Sequence, residues 1–256
     1  MKTRTYLFMA LILLLGFHAQ AQTADEILAN YFENTGGEAR WKSLNGMKMT
    51  AKVNQQGMEI PLEIYQLGDG RQMTVVKFQG KEIKQGVFDG ETLWSTNFMT
   101  MKPEKSDAET TANLKLNAND FPDPFLNYKE KNYTVELMGK EPMDGTETYK
   151  IKLVKEPLTI DGETKEDVSY YYFDSENFVP IAVESEINSG QMKGQTSLIT
   201  FSDYQEVDGL YFPFSMSQGI KGGASQPIVM ETIELNPVID DTSFAFPEET
   251  TEENKQ

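Results

Sequence analysis

Histidine occurs once in this 256-residue chain, at position 18, and cysteine does not occur at all. His18 lies in an N-terminal stretch that is expected to be cut off, which leaves the working protein with neither imidazole nor thiol. Ser-His-Asp and Cys-His nucleophilic machinery, thiolate chemistry and the usual zinc ligands are all removed together. What remains is hydroxyl, ammonium, guanidinium and carboxyl chemistry, which suffices for a glycosidase pair of carboxylates or a Ser-Lys pair. Among 40 acidic residues, no such pair is marked out by its spacing. Asp161-Gly162-Glu163 with Asp167, and Asp240-Asp241, gather acids without the ligand spacing of a calcium loop, and read as solvated turns. Binding or carrying therefore comes ahead of catalysis. No cofactor and no metal are expected, and a carboxylate-based hydrolase is the least favoured alternative.

The N-terminal stretch has the order of a secretory leader. Lys2 and Arg4 form a basic head, an apolar run extends from Tyr6 to Phe17, and Ala19-Gln20-Ala21 supplies small residues for cleavage. The run is too short to span a bilayer comfortably, and no cysteine follows it for lipid attachment. Residues 1–21 are thus expected to be a signal peptide and the remainder a soluble periplasmic protein.

The 23 basic residues of the whole chain lose Lys2 and Arg4 with the leader while all 40 acids stay, so the formal charge moves from −17 to about −19. Such a surface repels nucleic acid and anionic headgroups. Without disulfides the exported chain must bury a conventional core, and its length suffices for one domain over 22–247. The polar tail at 248–256 is expected to be disordered.

Thr23-Ala24-Asp25-Glu26 is a capping box that opens a helix over 24–34, with Ile27, Leu28, Tyr31 and Phe32 at helical spacing and Gly36-Gly37 as its stop. A short turn of helix around 39–44 carries Trp41. The period then changes to two, and a series of alternating segments follows: 47–53, 58–65, 73–78, 83–88, 92–96, 133–137, 149–154, 168–173, 179–187, 197–204, 210–217 and 227–235. Asp69-Gly70, Gln79-Gly80, Asp89-Gly90, Asp144-Gly145, Asp161-Gly162 and Asp208-Gly209 are hairpin signals between them. A second capping box at Ser106-Asp107-Ala108-Glu109 predicts a helix over 106–117, and Phe121-Pro122-Asp123-Pro124 cannot continue a strand. The fold class is mainly β with a few helices (α+β), built as a consecutive antiparallel meander.

Two helices are too few to cover a sheet of about ten strands unless it curls around them. A curled sheet leaves an apolar cavity, and the predicted lining is Met47, Met49 and Val53 of one strand, Met58, Ile60, Leu62 and Ile64 of the next, then Met73 and Trp94. Methionine is flexible and polarizable, which suits an irregular apolar ligand as well as ordinary core filling.

Phe88-Asp89-Gly90-Glu91-Thr92-Leu93-Trp94, Tyr172-Phe173-Asp174 leading to Val179-Pro180, Val207-Asp208-Gly209-Leu210-Tyr211-Phe212-Pro213 and Phe244-Ala245-Phe246-Pro247 follow the Gly-Gly-terminated helix in order. With that order the chain resembles the periplasmic outer-membrane lipoprotein-sorting (LolA-like) proteins, in particular divergent members from Bacteroidetes-type bacteria. The resemblance implies an incomplete, curved barrel closed by helices that shelters lipoprotein acyl chains or another lipid on the way to the outer membrane. It also implies membrane-bound donor and acceptor proteins as partners; a monomer is expected. The sorting family is associated with a cavity arginine and a basic face; after the leader this chain has only Arg40 and Arg71, and it is acidic. A non-catalytic sensor or protein-interaction module on the same fold is the alternative reading.

Overall fold

The computed structural model describes residues 22–55 and 57–247, so the expected leader and the polar tail lie outside the described residues. Helix α1 spans Ala24–Asn34, and both halves of its capping box form: the Glu26 amide donates to Thr23 Oγ1 at 3.2 Å, and the Thr23 amide donates to Glu26 Oε2 at 2.8 Å. The helix buries Ile27, Leu28, Tyr31 and Phe32 and stops at Thr35. The Thr35 hydroxyl donates to the Tyr31 carbonyl at 2.7 Å and accepts from the Trp41 indole at 3.0 Å, which fastens α1 to helix α2 (Glu38–Lys42). Between them Gly36 has φ +110°, and a Cβ on it would lie 2.0 Å from the carbonyl oxygen of Gly209. Only glycine lets the helix pair dock so closely on the sheet.

The chain then builds β1 (Gly46–Gln55), β2 (Met58–Leu67), β3 (Gln72–Phe78), β4 (Lys81–Phe88), β5 (Leu93–Thr96) and β6 (Pro103–Lys105) as a meander. After helix α3 (Ala108–Asn117) and a 3-10 turn (Ala118–Asp120) come β7 (Thr134–Met143), β8 (Thr146–Val154), a small hairpin β9 (Leu158–Ile160) and β10 (Glu163–Lys165), and β11 (Val168–Asp174). The series ends with β12 (Pro180–Glu186), β13 (Thr196–Val207), β14 (Leu210–Ile220) and β15 (Ser225–Leu235). Thirteen strands form one antiparallel sheet in the order β6-β5-β4-β3-β2-β1-β15-β14-β13-β12-β11-β8-β7, and β9-β10 stands apart. The sheet is a curved, open antiparallel wall whose edges are β6 and β7. At Gln79-Gly80, Asp144-Gly145, Asp161-Gly162 and Asp208-Gly209 both turn residues have positive φ, the requirement of tight two-residue hairpins.

Strand alternation sends the turns to two ends. The β2–β3, β4–β5, β7–β8, β11–β12 and β13–β14 turns share one end with α1 and α2, and the β1–β2, β3–β4, β5–β6, β12–β13 and β14–β15 turns form a rim at the other. At the helical end the concave face is packed: Ile27, Tyr31, Phe32 and Trp41 meet Ile151, Leu153, Phe173, Leu210 and Phe212. A second core lies on the opposite, convex face, where Met73, Val75, Val87 and Trp94 are covered by Phe244 of a short 3-10 segment, Asp241–Phe244.

Two local expectations are corrected. Helix α3 is capped by Asp107 rather than Ser106: its carboxylate accepts from the Thr110 amide at 2.7 Å and from the Thr110 hydroxyl at 2.8 Å, which a serine hydroxyl could not match. Strand β6 and the β9-β10 hairpin, three residues per strand, were too short to show a period.

Candidate functional site

Pairing register converts the strand sequences into transverse rows on the concave face, because residues directly opposite one another share a side of the sheet. Nearest the rim, Phe201, Met216, Ile228, Val53 and Ile60 stand side by side across β13, β14, β15, β1 and β2. The next row is Met230, Ala51, Leu62, Val76 and Ile83, and below it come Ile233, Met49 and Ile64, ending on Thr74. The row nearest the helices runs Leu235, Met47 and then Gln66 and Gln72. Met47 and Ala51 are buried, whereas Met49, Val53, Ile60, Leu62 and Ile64 stay partly exposed and belong to neither packed core. The result is an apolar trough along the concave face, in which Met49, Val53, Ile60, Leu62 and Ile64 keep part of their surface uncovered.

Of the predicted lining, Met47, Met49, Val53, Ile60, Leu62 and Ile64 share this face, and Met58 continues it to the rim, where it is 52% exposed. Met73 and Trp94 do not belong there. Met73 stands opposite Tyr65, one position out of phase with Ile64, and Trp94 stands opposite Val87 beyond a register shift between β3 and β4. Both point to the convex face, where Trp94 is only 2% exposed against Phe244 and Phe246. The sequence reading missed Phe201, Ile228, Val76 and Ile83 as trough residues. Their signal was present in β15, where Gln226, Ile228 and Met230 alternate with exposed neighbours.

Helix α3 spans the trough's open side. At one end Glu109 accepts from the Asp161 and Gly162 amides (2.8 and 2.9 Å), and Asn113 exchanges two hydrogen bonds with the Thr159 backbone (2.7 and 2.9 Å), so helix and β9-β10 hairpin form one unit. At the other end Ala118 abuts Gly70 in the β2–β3 turn. None of the α3 residues is fully buried, so the helix bridges the sheet without adding a core of its own. Where the unit joins the wall, Lys155 pairs with Asp120 at 2.7 Å and Asp167 at 3.0 Å. Burial pulls this ammonium down, but the two carboxylates outweigh it and hold it charged.

Beside the packed end stands a partly buried carboxylate, Asp123, which accepts from the Tyr31 hydroxyl at 2.9 Å and the Phe125 amide at 2.8 Å. Burial pushes its carboxyl up to about 6, against the lowering effect of those hydrogen bonds and of Lys131. Burial likewise raises the Tyr31, Tyr171 and Tyr204 hydroxyls, so they stay neutral donors. Polar concavities of about 540 and 400 Å³ adjoin this end and share Leu67, Arg71, Phe121 and Pro122. Arg71 is held by Asp69 at 2.8 Å and Asp241 at 2.6 Å and lies 5.3 Å from the Phe244 ring centre. Nothing in this set brings a nucleophile and a base together.

Two solved structures superpose over nearly the whole described chain. A LolA superfamily protein from Nitrosomonas europaea is 14% identical, with a TM-score of 0.52 over 89% of this chain and 99% of that one. A domain from Vibrio parahaemolyticus described as an outer membrane lipoprotein-sorting protein domain is 13% identical, with a TM-score of 0.52 over 86% and 94%. The chain has the LolA-superfamily fold. No protein-family model matches the sequence, and no curated protein does. Within the LolA fold this chain commits both described arginines to its frame: Arg40 donates to the Gly36 carbonyl at 2.8 Å, and Arg71 ties the β2–β3 turn to the C-terminal segment.

Proposed function

We propose that the protein is a periplasmic carrier that takes an acyl chain, from a lipoprotein or another lipid, into the concave trough and performs no covalent chemistry. The observation that carries this reading is the apolar surface of the rows through Val53 and Met49, where Met49, Val53, Ile60 and Ile64 stay partly exposed although a structural core would close over them. Burying an alkyl chain against them gains about 0.8 kcal/mol per methylene. In this reading residues 1–21 are a leader removed on export, 22–247 form one LolA-like domain, and membrane-bound donor and acceptor proteins load and unload a monomer. Export predicts that the soluble protein begins at Gln22 by N-terminal sequencing, and intact Met1 in the membrane fraction would reject it.

The deciding experiment is mass spectrometry of lipid extracted from the protein purified out of its own periplasm, paired with titration by a fluorescent fatty acid. Co-purifying acyl lipid and saturable uptake support the carrier. Folded protein that carries none and binds none transfers the weight to an interaction module acting through its outer surface.

A further inference from the structure

Large apolar side chains are exposed at the rim. The β5–β6 turn holds out Phe98 and Met99, 62% and 94% exposed; Met58 opens the β1–β2 side of the same rim, and Met192 lies in the β12–β13 turn. These three sites spread over the same end of the wall rather than clustering in one groove. Met58 is also the first member of the column Ile60, Leu62, Ile64, so apolar surface runs unbroken from the rim into the trough.

The construction of the Phe98-Met99 tip narrows what it meets. Asn97 Oδ1 accepts from the Met99 amide at 2.8 Å and the Thr100 amide at 3.1 Å. The Met101 amide donates to the Asn97 carbonyl at 2.8 Å, the Lys102 amide donates to Thr100 Oγ1 at 3.3 Å, and the Asn97 amide donates to the Lys102 carbonyl at 2.8 Å. Main-chain donors from Met99 to Lys102 are thus satisfied within the turn. Hydrocarbon supplies no hydrogen bonds, so a turn that satisfies these four donors itself costs less to bring against lipid, with the Phe98 amide left to the headgroup region. Lys102 closes the tip and Lys81 opens β4 on the same rim, and neither makes an ion pair among the described residues. Glu82 and Glu104 stand close by in sequence, and this balanced charge matches headgroups that carry both signs. The strongly acidic remainder of the chain turns it away from anionic surfaces.

We infer that the rim docks on a zwitterionic lipid bilayer by inserting Phe98 and Met99, with Met58 further along the same rim, so that the trough opens directly onto the membrane surface. This rests on the carrier reading only for its purpose; the docking itself depends on the rim alone.

The test is co-flotation with phosphatidylethanolamine–phosphatidylcholine vesicles of the protein recovered from the soluble exported fraction after expression of the full sequence. Wild type should float, and the double substitution Phe98→Asp/Met99→Asp should lower the bound fraction at least about tenfold. Val229→Asp is the control, because Val229 is 51% exposed but lies on the convex face opposite Lys52. It should float as wild type does. Wild type that stays in solution overturns the inference, as does an equal loss in Val229→Asp, or binding confined to native membranes and abolished by protease treatment of those membranes. Fatty-acid uptake without vesicles separates the two readings: uptake by wild type that does not float overturns docking and leaves the carrier standing, whereas flotation without uptake keeps docking and removes the carrier.

Discussion

The indole of Trp94 donates to the main-chain carbonyl of Phe244 at 3.0 Å, joining β5 to a segment 150 residues further on. Phe244 is fully buried there, Lys84 Nζ donates to the Ser243 carbonyl at 2.8 Å, and Phe246 meets Trp94 edge-on at 5.8 Å. The C-terminal segment is therefore a clamp on the outside of β3, β4 and β5.

Phe244→Ala should destabilise the protein by about 3–5 kcal/mol, the usual cost of emptying a buried phenyl site. Urea denaturation measures it. Because the clamp and the trough lie on opposite faces, uptake of a fluorescent fatty acid by the folded variant should match wild type at low temperature. Loss of uptake in fully folded protein would contradict that separation.

Ile64→Asp, or Met49→Glu in the strand beside it, places an unpaired charge on the concave face. Facing an alkyl chain, that charge costs several kcal/mol of binding, so affinity for a fluorescent fatty acid should fall by at least about tenfold. Circular dichroism must show an unchanged fold. Undiminished affinity in either variant would locate the ligand elsewhere.

Asp123 makes stability depend on pH with a defined sign. Its folded pKa of about 6 lies above the ordinary value of 3.8, so the folded state holds the proton more tightly. Its contribution is complete below about pH 4 and is lost as pH rises through 6, up to about 3 kcal/mol in all. Asp123→Asn keeps an Oδ1 acceptor for the Phe125 amide, turns its Nδ2 toward the Tyr31 hydroxyl, which can accept instead, and cannot titrate. Relative to wild type the variant should gain stability between pH 4 and 7, as read from urea midpoints. Parallel pH profiles for the two proteins would show that Asp123 does not set the slope.

Helix α3 and the β9-β10 hairpin should protect one another. Asn113→Ala removes both bonds to Thr159, at a cost of about 1–3 kcal/mol to the joint. Amide hydrogen exchange in that variant should quicken in 108–117 and 158–165 together while 149–153 of the wall stays as slow as in wild type. Acceleration confined to the helix would deny that the two move as a unit.

The strands of the wall were legible because a half-buried antiparallel strand writes its orientation into alternate residues, as Met49, Ala51 and Val53 do against Ile64, Leu62 and Ile60. The same rule failed at Met73 and Trp94 for a physical reason. The C-terminal clamp buries the outer face of β3–β5, so apolar residues on both faces lose their contrast, and the shift in register between β3 and β4 changes the phase. Asp123 was visible only as part of a strand-breaking Pro-Asp-Pro; its partly buried position comes from contacts with Tyr31, 92 residues away, which no local pattern encodes. The tip at Phe98 and Met99 was hidden because its point is exposure, a property of the turn around Asn97 rather than of residue type.

The pairing of β1 with β15 has a consequence in time. Met47 meets Leu235 and Val53 meets Ile228, so the middle of the wall is made from opposite ends of the chain. Every other seam in the sheet joins strands much nearer in sequence, and each of those hairpins can form as soon as its two arms exist. Contacts of such long sequence separation form slowly, because a large loop must close before they repay its entropy. A chain threaded into its compartment from the N-terminus would present β1 with one edge bare until the last strand arrives. During that interval the apolar column that later faces the trough is open to any unpaired strand or sticky surface nearby. The topology thus makes the newborn chain, more than the finished wall, the form that is open to wrong pairing.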